Sequence, residues 1–434
     1  MRIKLTEKNM LVWLLIILGG LLFLRAVSTV FIYPLLLISL AIFAFAPFKV
    51  CLPTLCFLLP FANIIKLQPG QISFFTVFFL IYVIRTLLKK DALRRVFLLS
   101  LLFFAGYAFV FSGTGKIITI ATMVCGFAML HDACKSDEYD YKEVLYAFCM
   151  GIIFSSILGL FKEQLPIVDS FVQEATQKIG HKEYVERFVG LNVNPNYYTM
   201  DISVVLACLT VMMVTSSKPT KVQVLMFMGL SVFGLMSVSK SFLLIWVLLL
   251  AVIIFYGFLN GGTSFFRIII MFAVMAVFIY FFAKESIDTY IYRLTEDSDG
   301  DMSGITTGRI DIWISYIKAI LKSERVLLFG AGLGEILERG THNTYLEALY
   351  GLGLVGTMFY AFVLRMSLAI KSFPKRLVYY IPVIVMLIRF MGIGVFIHDS
   401  LWYYLVIISL SLIYADKCNK KRELSDLSNA NEFL

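Results

Sequence analysis

The sequence predicts an all-α polytopic membrane protein of about 12–14 transmembrane helices, because a bilayer core needs about 17–20 apolar residues per helix and such runs recur from end to end. Composition says the same. Of 434 residues, 60% are hydrophobic and 15% charged, against roughly 25% charged in soluble domains. Mean hydropathy is +0.86. The cations, moreover, gather in alternate loops, as they do where loop charge fixes orientation.

The candidate spans are Met10–Leu24, Val27–Ala46, Phe48–Ile65, Ile72–Leu88, Val96–Ser112, Lys116–Ala133 and Val144–Phe161. They continue with Tyr198–Ser216, Val222–Val238, Phe242–Leu259, Phe265–Ala283, Tyr345–Ile370, Leu377–Ile397 and Leu401–Ala415. Arg2, Lys4 and Lys8 precede the first run, but no small-residue cleavage site follows it, so it reads as an uncleaved span.

With the N-terminus inside, the even loops carry Lys49, then Arg85 with Lys89, Lys90, Arg94 and Arg95, then Lys135 and Lys142. Further even loops carry Lys218, Lys221, Arg267, Lys371, Lys375, Arg376 and the tail cations from Lys417 to Arg422. The short odd loops hold little beyond Arg25, Lys66, Lys116 and Lys240. Both termini are then expected in the cytoplasm. The net charge of +9 is accounted for by these loops, and no nucleic-acid partner is implied. Seven scattered cysteines, with no CxxC pair and no Cys/His ligand spacing, point to neither a disulfide framework nor a metal site.

Residues 1–283 hold the first eleven spans and an outer loop at 162–196. Residues 284–343 form a larger outer loop, 344–415 the last three spans, and 416–434 a cytoplasmic tail. In the large loop, Arg309–Lys322 is amphipathic: Ile310, Trp313, Ile314, Ile317 and Leu321 share one helical face, Asp311, Ser315, Lys318 and Lys322 the other. The stretch 296–304 (EDSDGDMSG) reads as flexible, and so does the glycine-rich turn Phe329–Gly334, which lacks the strand and helix of a dinucleotide site.

The candidate functional residues all fall on the outer side in this topology. Thr341 or Asn343 caps the helix that begins near Thr344, and Tyr345, Leu349, Leu352 and Gly356 give that helix one packing face. His342 therefore sits at the positive end of a helix at the membrane boundary, where the dipole favours the neutral imidazole a general base requires. The alternative is a polar anchor. Arg309 opens the amphipathic helix, and a guanidinium at a helix N-terminus suits a phosphate, or else pairs with Asp311 or a lipid headgroup. Asn194 and Pro195 start the eighth span, placing Asn196 and Asp201 in its first turns; an ionisable group at that depth is a functional candidate. Arg187 lies just upstream. Lys240 interrupts two spans at an outer Ser-x-Ser turn, and Arg389 lies inside an apolar run, where it needs an anionic partner. His398-Asp399 reads as a polar turn, and His131-Asp132 falls on the other side.

Three pieces in order carry a resemblance: Arg187-x-x-Gly190 with Asn194-Pro195-Asn196; Gly308-Arg309-x-Asp311-x-Trp313 with Phe329-Gly330-x-Gly332; and His342-Asn343-Thr344-Tyr345-Leu346. With the hydropathy profile and the long outer loop before the histidine, the chain resembles the O-antigen ligase/polymerase superfamily of bacterial surface-polysaccharide enzymes. The resemblance implies a metal-independent, cofactor-free membrane glycosyltransferase of C-type architecture in the bacterial inner (cytoplasmic) membrane. Its active site faces the periplasmic or extracellular side. The expected substrate is an oligosaccharide repeat on undecaprenyl diphosphate, and a chain-length regulator is an expected partner. By the same resemblance His342 serves the acceptor hydroxyl and Arg309 the diphosphate. Relatives often carry arginine where this chain has Lys240, which keeps the charge and loses the fork. Arg187 and Arg389 complete the candidate diphosphate set; Asn343, Tyr345, Asn196 and Asp201 are candidate substrate or acceptor contacts. The expected activity is a polymerase of O-antigen, capsular or exopolysaccharide repeats. The alternatives are an O-antigen ligase acting on the lipid A core of lipopolysaccharide and, less favoured for want of internal repeats, a lipid-linked oligosaccharide flippase.

Overall fold

The structure is a computed structural model. It describes the chain apart from residues 1–6, 90–94, 137, 173–175, 180–182, 217–218, 261–272, 275, 278, 282, 292–308, 369–373 and 432–434, and apart from the side chains of 176–179, 183–186, 260 and 421–431. Among the described residues, eight helices are long and apolar enough to cross a membrane, and five shorter apolar helices accompany them. This is the architecture of a polytopic membrane protein. The expected span Phe265–Ala283 and the acidic stretch 296–304 lie largely or wholly outside the described residues.

The first half runs α1 (Glu7–Val27), α2 (Ile32–Phe45), α3 (Phe48–Leu58), α4 (Phe74–Leu87), α5 (Arg95–Ser112), α6 (Ile117–Lys135) and α7 (Tyr141–Leu160). A short helix α8 (Pro166–Phe171) and an antiparallel hairpin of Thr176–Ile179 with Glu183–Glu186 fill the loop before α9 (Pro195–Thr215). Then come α10 (Lys221–Met236), α11 (Lys240–Asn260), α12 (Arg309–Lys322), α13 (Glu324–Phe329), α14 (Thr344–Ser367), α15 (Ile381–Phe390) and α16 (Ser400–Asn431).

Helix α9 is the axle. Its sequence has almost no polar face, and it is buried nearly all round, from Tyr198 to Met213, as expected of a helix that is apolar on every side. It packs on α10, α11 and α15. Outer helices instead turn large apolar side chains outward, among them Trp13, Leu102, Phe103 and Phe258, the arrangement a lipid solvent rewards.

Two expected spans are broken. Helix α14 is interrupted at Gly353, which takes φ 66°. Into this break packs the Phe329–Gly334 turn: Ala331 N–H donates to Tyr350 O at 2.7 Å and Gly332 N–H to Gly351 O at 3.1 Å. A Cβ on Gly353 would lie 2.5 Å from the backbone nitrogen of Gly330. The turn read as flexible is thus a fixed, glycine-mediated backbone contact, steadied by the Tyr107 hydroxyl donating to Phe329 O and Leu352 O. Of the expected packing face, Leu352 and Gly356 are buried, but Tyr345 is exposed. The run Leu377–Ile397 is helical only to Phe390; residues 391–397, with Gly392 and Gly394, are irregular.

Candidate functional site

Helix termini and irregular segments meet at one end of the bundle: the starts of α9, α11, α12 and α14, and the non-helical stretch after α15. Each cap was set by local chemistry. Asn194 caps α9, its side chain accepting from Asn196 N–H at 2.8 Å, with Pro195 in the first turn. Asn343 caps α14, accepting from Tyr345 N–H at 3.0 Å and Leu346 N–H at 3.1 Å. Thr341 braces that cap: its hydroxyl donates to Asn343 O and accepts from Asn343 N–H. Asn343 is therefore occupied as a cap.

His342 stands between Thr341 and Asn343 with φ 47°. Only Val238 shares a positive φ among the described non-glycine residues, at 51°. Such strain, of order 1–3 kcal/mol, persists where surrounding structure enforces it and clusters at functional sites. Both residues lie at this end of the bundle. The His342 ring is exposed on one side, while the bundle beneath it and then the positive charge of Arg309 push its pKa below the ordinary value. The free base is accordingly the prevailing form at neutral pH.

Helix α12 has the expected bounds: Tyr316 and Ile320 are buried against the bundle, and Ile314, Ile317 and Leu321 of the apolar face are turned outward. Its inner face holds the segment leading to His342. Trp313 Nε1 donates to Thr341 O at 3.1 Å, and the Tyr316 hydroxyl donates to Arg339 O at 2.8 Å while accepting from Leu337 N–H. At the head of α12, Arg309 reaches Gly392, where an added Cβ would stand 3.2 Å from its Nη1. The Arg309 charge is felt by both His342 and Arg389. Imidazole and guanidinium, carried on separate segments, thus converge.

Arg389 is 2% exposed. It donates from Nη2 to Asn196 O and to Thr199 Oγ1, each at 2.8 Å, and from Nη1 to Ser241 Oγ. It joins α15 to α9 and α11. Asn196 meets the next turn through Ser239 Oγ, which donates to its Oδ1 at 3.4 Å. Arg187 is buried here too, its Nε donating to Ser237 O at 2.9 Å. Lys240 begins α11, half-exposed between Ser239 and Ser241. Asp201 lies deeper, accepting from the buried Tyr404 hydroxyl. Tyr345 sits on the outward side, its hydroxyl donating to Leu387 O at 3.0 Å.

Three further groups belong to this cluster and were missed in the sequence. Tyr290 is buried and donates to Ser239 O at 3.2 Å. Tyr197 donates to Gly394 O at 2.8 Å and its ring lies 4.5 Å from that of His398. Glu347 accepts from Phe396 N–H at 3.1 Å. Of these, only Glu347 left a signal, a carboxylate one turn past a helix cap. His131 and Asp132 lie at the far end of the bundle, where Asp132 pairs with Lys89 and accepts from Tyr139.

The arrangement brings the Arg309 charge to the strained histidine and Glu347 to the Thr341 hydroxyl across Gly394, while Arg187, Arg389 and Asp201 are held by partners on α9, α11, α16 and the turn before α11. Comparison with protein-family models, with characterised proteins and with solved structures finds no match.

Proposed function

We propose that the protein is a membrane glycosyltransferase that polymerises oligosaccharide repeats carried on undecaprenyl diphosphate. The single observation that supports this reading most is the convergence of His342 and Arg309 at one end of the bundle, delivered by α14 and α12 and joined by the Trp313–Thr341 hydrogen bond. Transfer breaks the anomeric C–O bond through an oxocarbenium-like state. The departing diphosphate gains negative charge, and Arg309 offers a preorganised positive fork, with Arg187, Lys240 and Arg389 adding to the positive field. Neutral His342 removes the proton of the attacking acceptor hydroxyl, a contribution of about 10²–10⁴-fold for a general base. The proton then leaves to the solvent that reaches the exposed side of the ring.

The loop charges support a site on the outer side, and the resemblance supports the periplasmic or extracellular face of a bacterial cytoplasmic membrane. A carrier lipid reaches it from the bilayer, and a chain-length regulator would act from the same side. The O-antigen ligase reading uses the same groups with the lipid A core as acceptor. The deciding experiment incubates purified protein with lipid-linked repeats extracted from its own cells. Wild type is expected to build longer chains and His342→Ala to build none while inserting normally. Equal chain lengths from both would overturn the reading.

A further inference from the structure

We propose that Glu347 is a substrate-binding residue that grips the acceptor sugar through hydroxyl groups neighbouring the one His342 deprotonates. The inference rests on the glycosyltransferase reading and extends it to the acceptor's seat.

Glu347 lies in the first turn of α14, just beyond the Asn343 cap. Its Oε2 accepts from Phe396 N–H, while Oε1 makes no hydrogen bond among the described residues. No cation among them pairs with it. The carboxylate and the Thr341 hydroxyl flank Gly394 together: a Cβ there would stand 2.9 Å from Glu347 Oε2 and 3.4 Å from Thr341 Oγ1. Thr341 precedes His342, so the carboxylate borders the segment that carries the base. Tyr197 and Tyr316 are both near enough to feel its charge.

A half-buried carboxyl with one oxygen uncommitted and no ion pair is open to donors that a ligand brings in place of water. It offers the diphosphate no positive charge. Sugar hydroxyls are the fitting donors: they are neutral, they donate to carboxylate oxygens, and such charge-assisted bonds are short and strong. The Tyr197–His398 ring pair beside it, at 4.5 Å, adds the apolar surface against which a pyranose ring's C–H face packs. The segment is also stiff enough to hold a geometry. The Thr344 hydroxyl donates to Ile393 O at 2.6 Å and accepts from Val395 N–H at 3.1 Å. Arg309 beside Gly392 and Glu347 beside Gly394 thus offer the diphosphate and the acceptor hydroxyls different partners.

The test separates grip from scaffold. Glu347→Gln keeps an oxygen for Phe396 N–H and removes the charge. Purified wild type and Glu347→Gln are titrated with lipid-linked repeats extracted from the same cells, and melting is followed in parallel. The expected result is an unchanged melting midpoint with the KM for the repeat raised about tenfold, the scale of one lost hydrogen bond to a charged group. A Gln variant kinetically equal to wild type would overturn the proposal, since it would leave Glu347 only the backbone contact. If the wild type extends no chain, the glycosyltransferase reading itself fails, which is a separate outcome.

Discussion

The indole N–H of Trp313 donates to the carbonyl oxygen of Thr341 at 3.1 Å. That bond ties the helix headed by Arg309 to the residue preceding His342, so two groups far apart in the chain keep one geometry. Trp313→Phe retains the ring and removes the donor. The fold should tolerate this, because one neutral hydrogen bond contributes about 0.5–1.5 kcal/mol. Chain extension by purified protein should fall at least tenfold, since small displacements of catalytic groups are expensive. Activity equal to wild type would show that the bond does not align the site.

The pH dependence follows from His342. Its pKa lies below the ordinary value of about 6.5, first through desolvation and second through Arg309. A base works deprotonated, so activity should be full at neutral pH and be lost as pH falls through that depressed value. Arg309→Gln removes one of the two lowering causes. Its acid limb should therefore move to higher pH, in addition to a loss of rate. A pH–rate profile of the variant whose acid limb stays in place would break the electrostatic link between the two residues.

Gly392 offers a gentler probe of the same arginine. A methyl group there would stand 3.2 Å from Arg309 Nη1 and 3.8 Å from Arg389 O. The nearer neighbour is the end of a flexible side chain, so Gly392→Ala should shift the guanidinium by a few tenths of an ångström and leave the fold intact. The expected outcome is a reduced extension rate with an unchanged melting midpoint in detergent. A stability loss with a normal rate per folded molecule would place the constraint in the backbone instead.

Much of this was legible in the residues. Length and hydropathy announced a polytopic membrane protein, Asn194-Pro195 and Asn343 announced their helix starts, and the periodicity of Arg309–Lys322 marked a helix with those bounds. Breaks inside apolar runs were not legible, because hydropathy is blind to φ. Gly353 and Gly392 look like any membrane glycine until a second segment packs against them. The same holds for Tyr197 and Tyr290, whose hydroxyls serve backbone carbonyls from distant segments. Nor did periodicity reveal that in α12 Tyr316 turns inward to hold Arg339 and Leu337.

Arg389 separates two roles that its sequence position left joined. Its Nη groups are engaged by Asn196 O, Thr199 Oγ1 and Ser241 Oγ, so its first duty is to clamp α15 onto α9 and α11. A lysine keeps the charge but cannot reach three acceptors in that planar pattern, and the orphaned oxygens stay buried. Arg389→Lys should therefore lower the melting midpoint, with extension falling in step with the folded fraction. Thr199→Val, which removes one of those acceptors, should show a smaller shift of the same kind. If Arg389→Lys instead melts as wild type does and only the KM for the lipid-linked repeat rises, Arg389 acts on the substrate and the clamp is secondary.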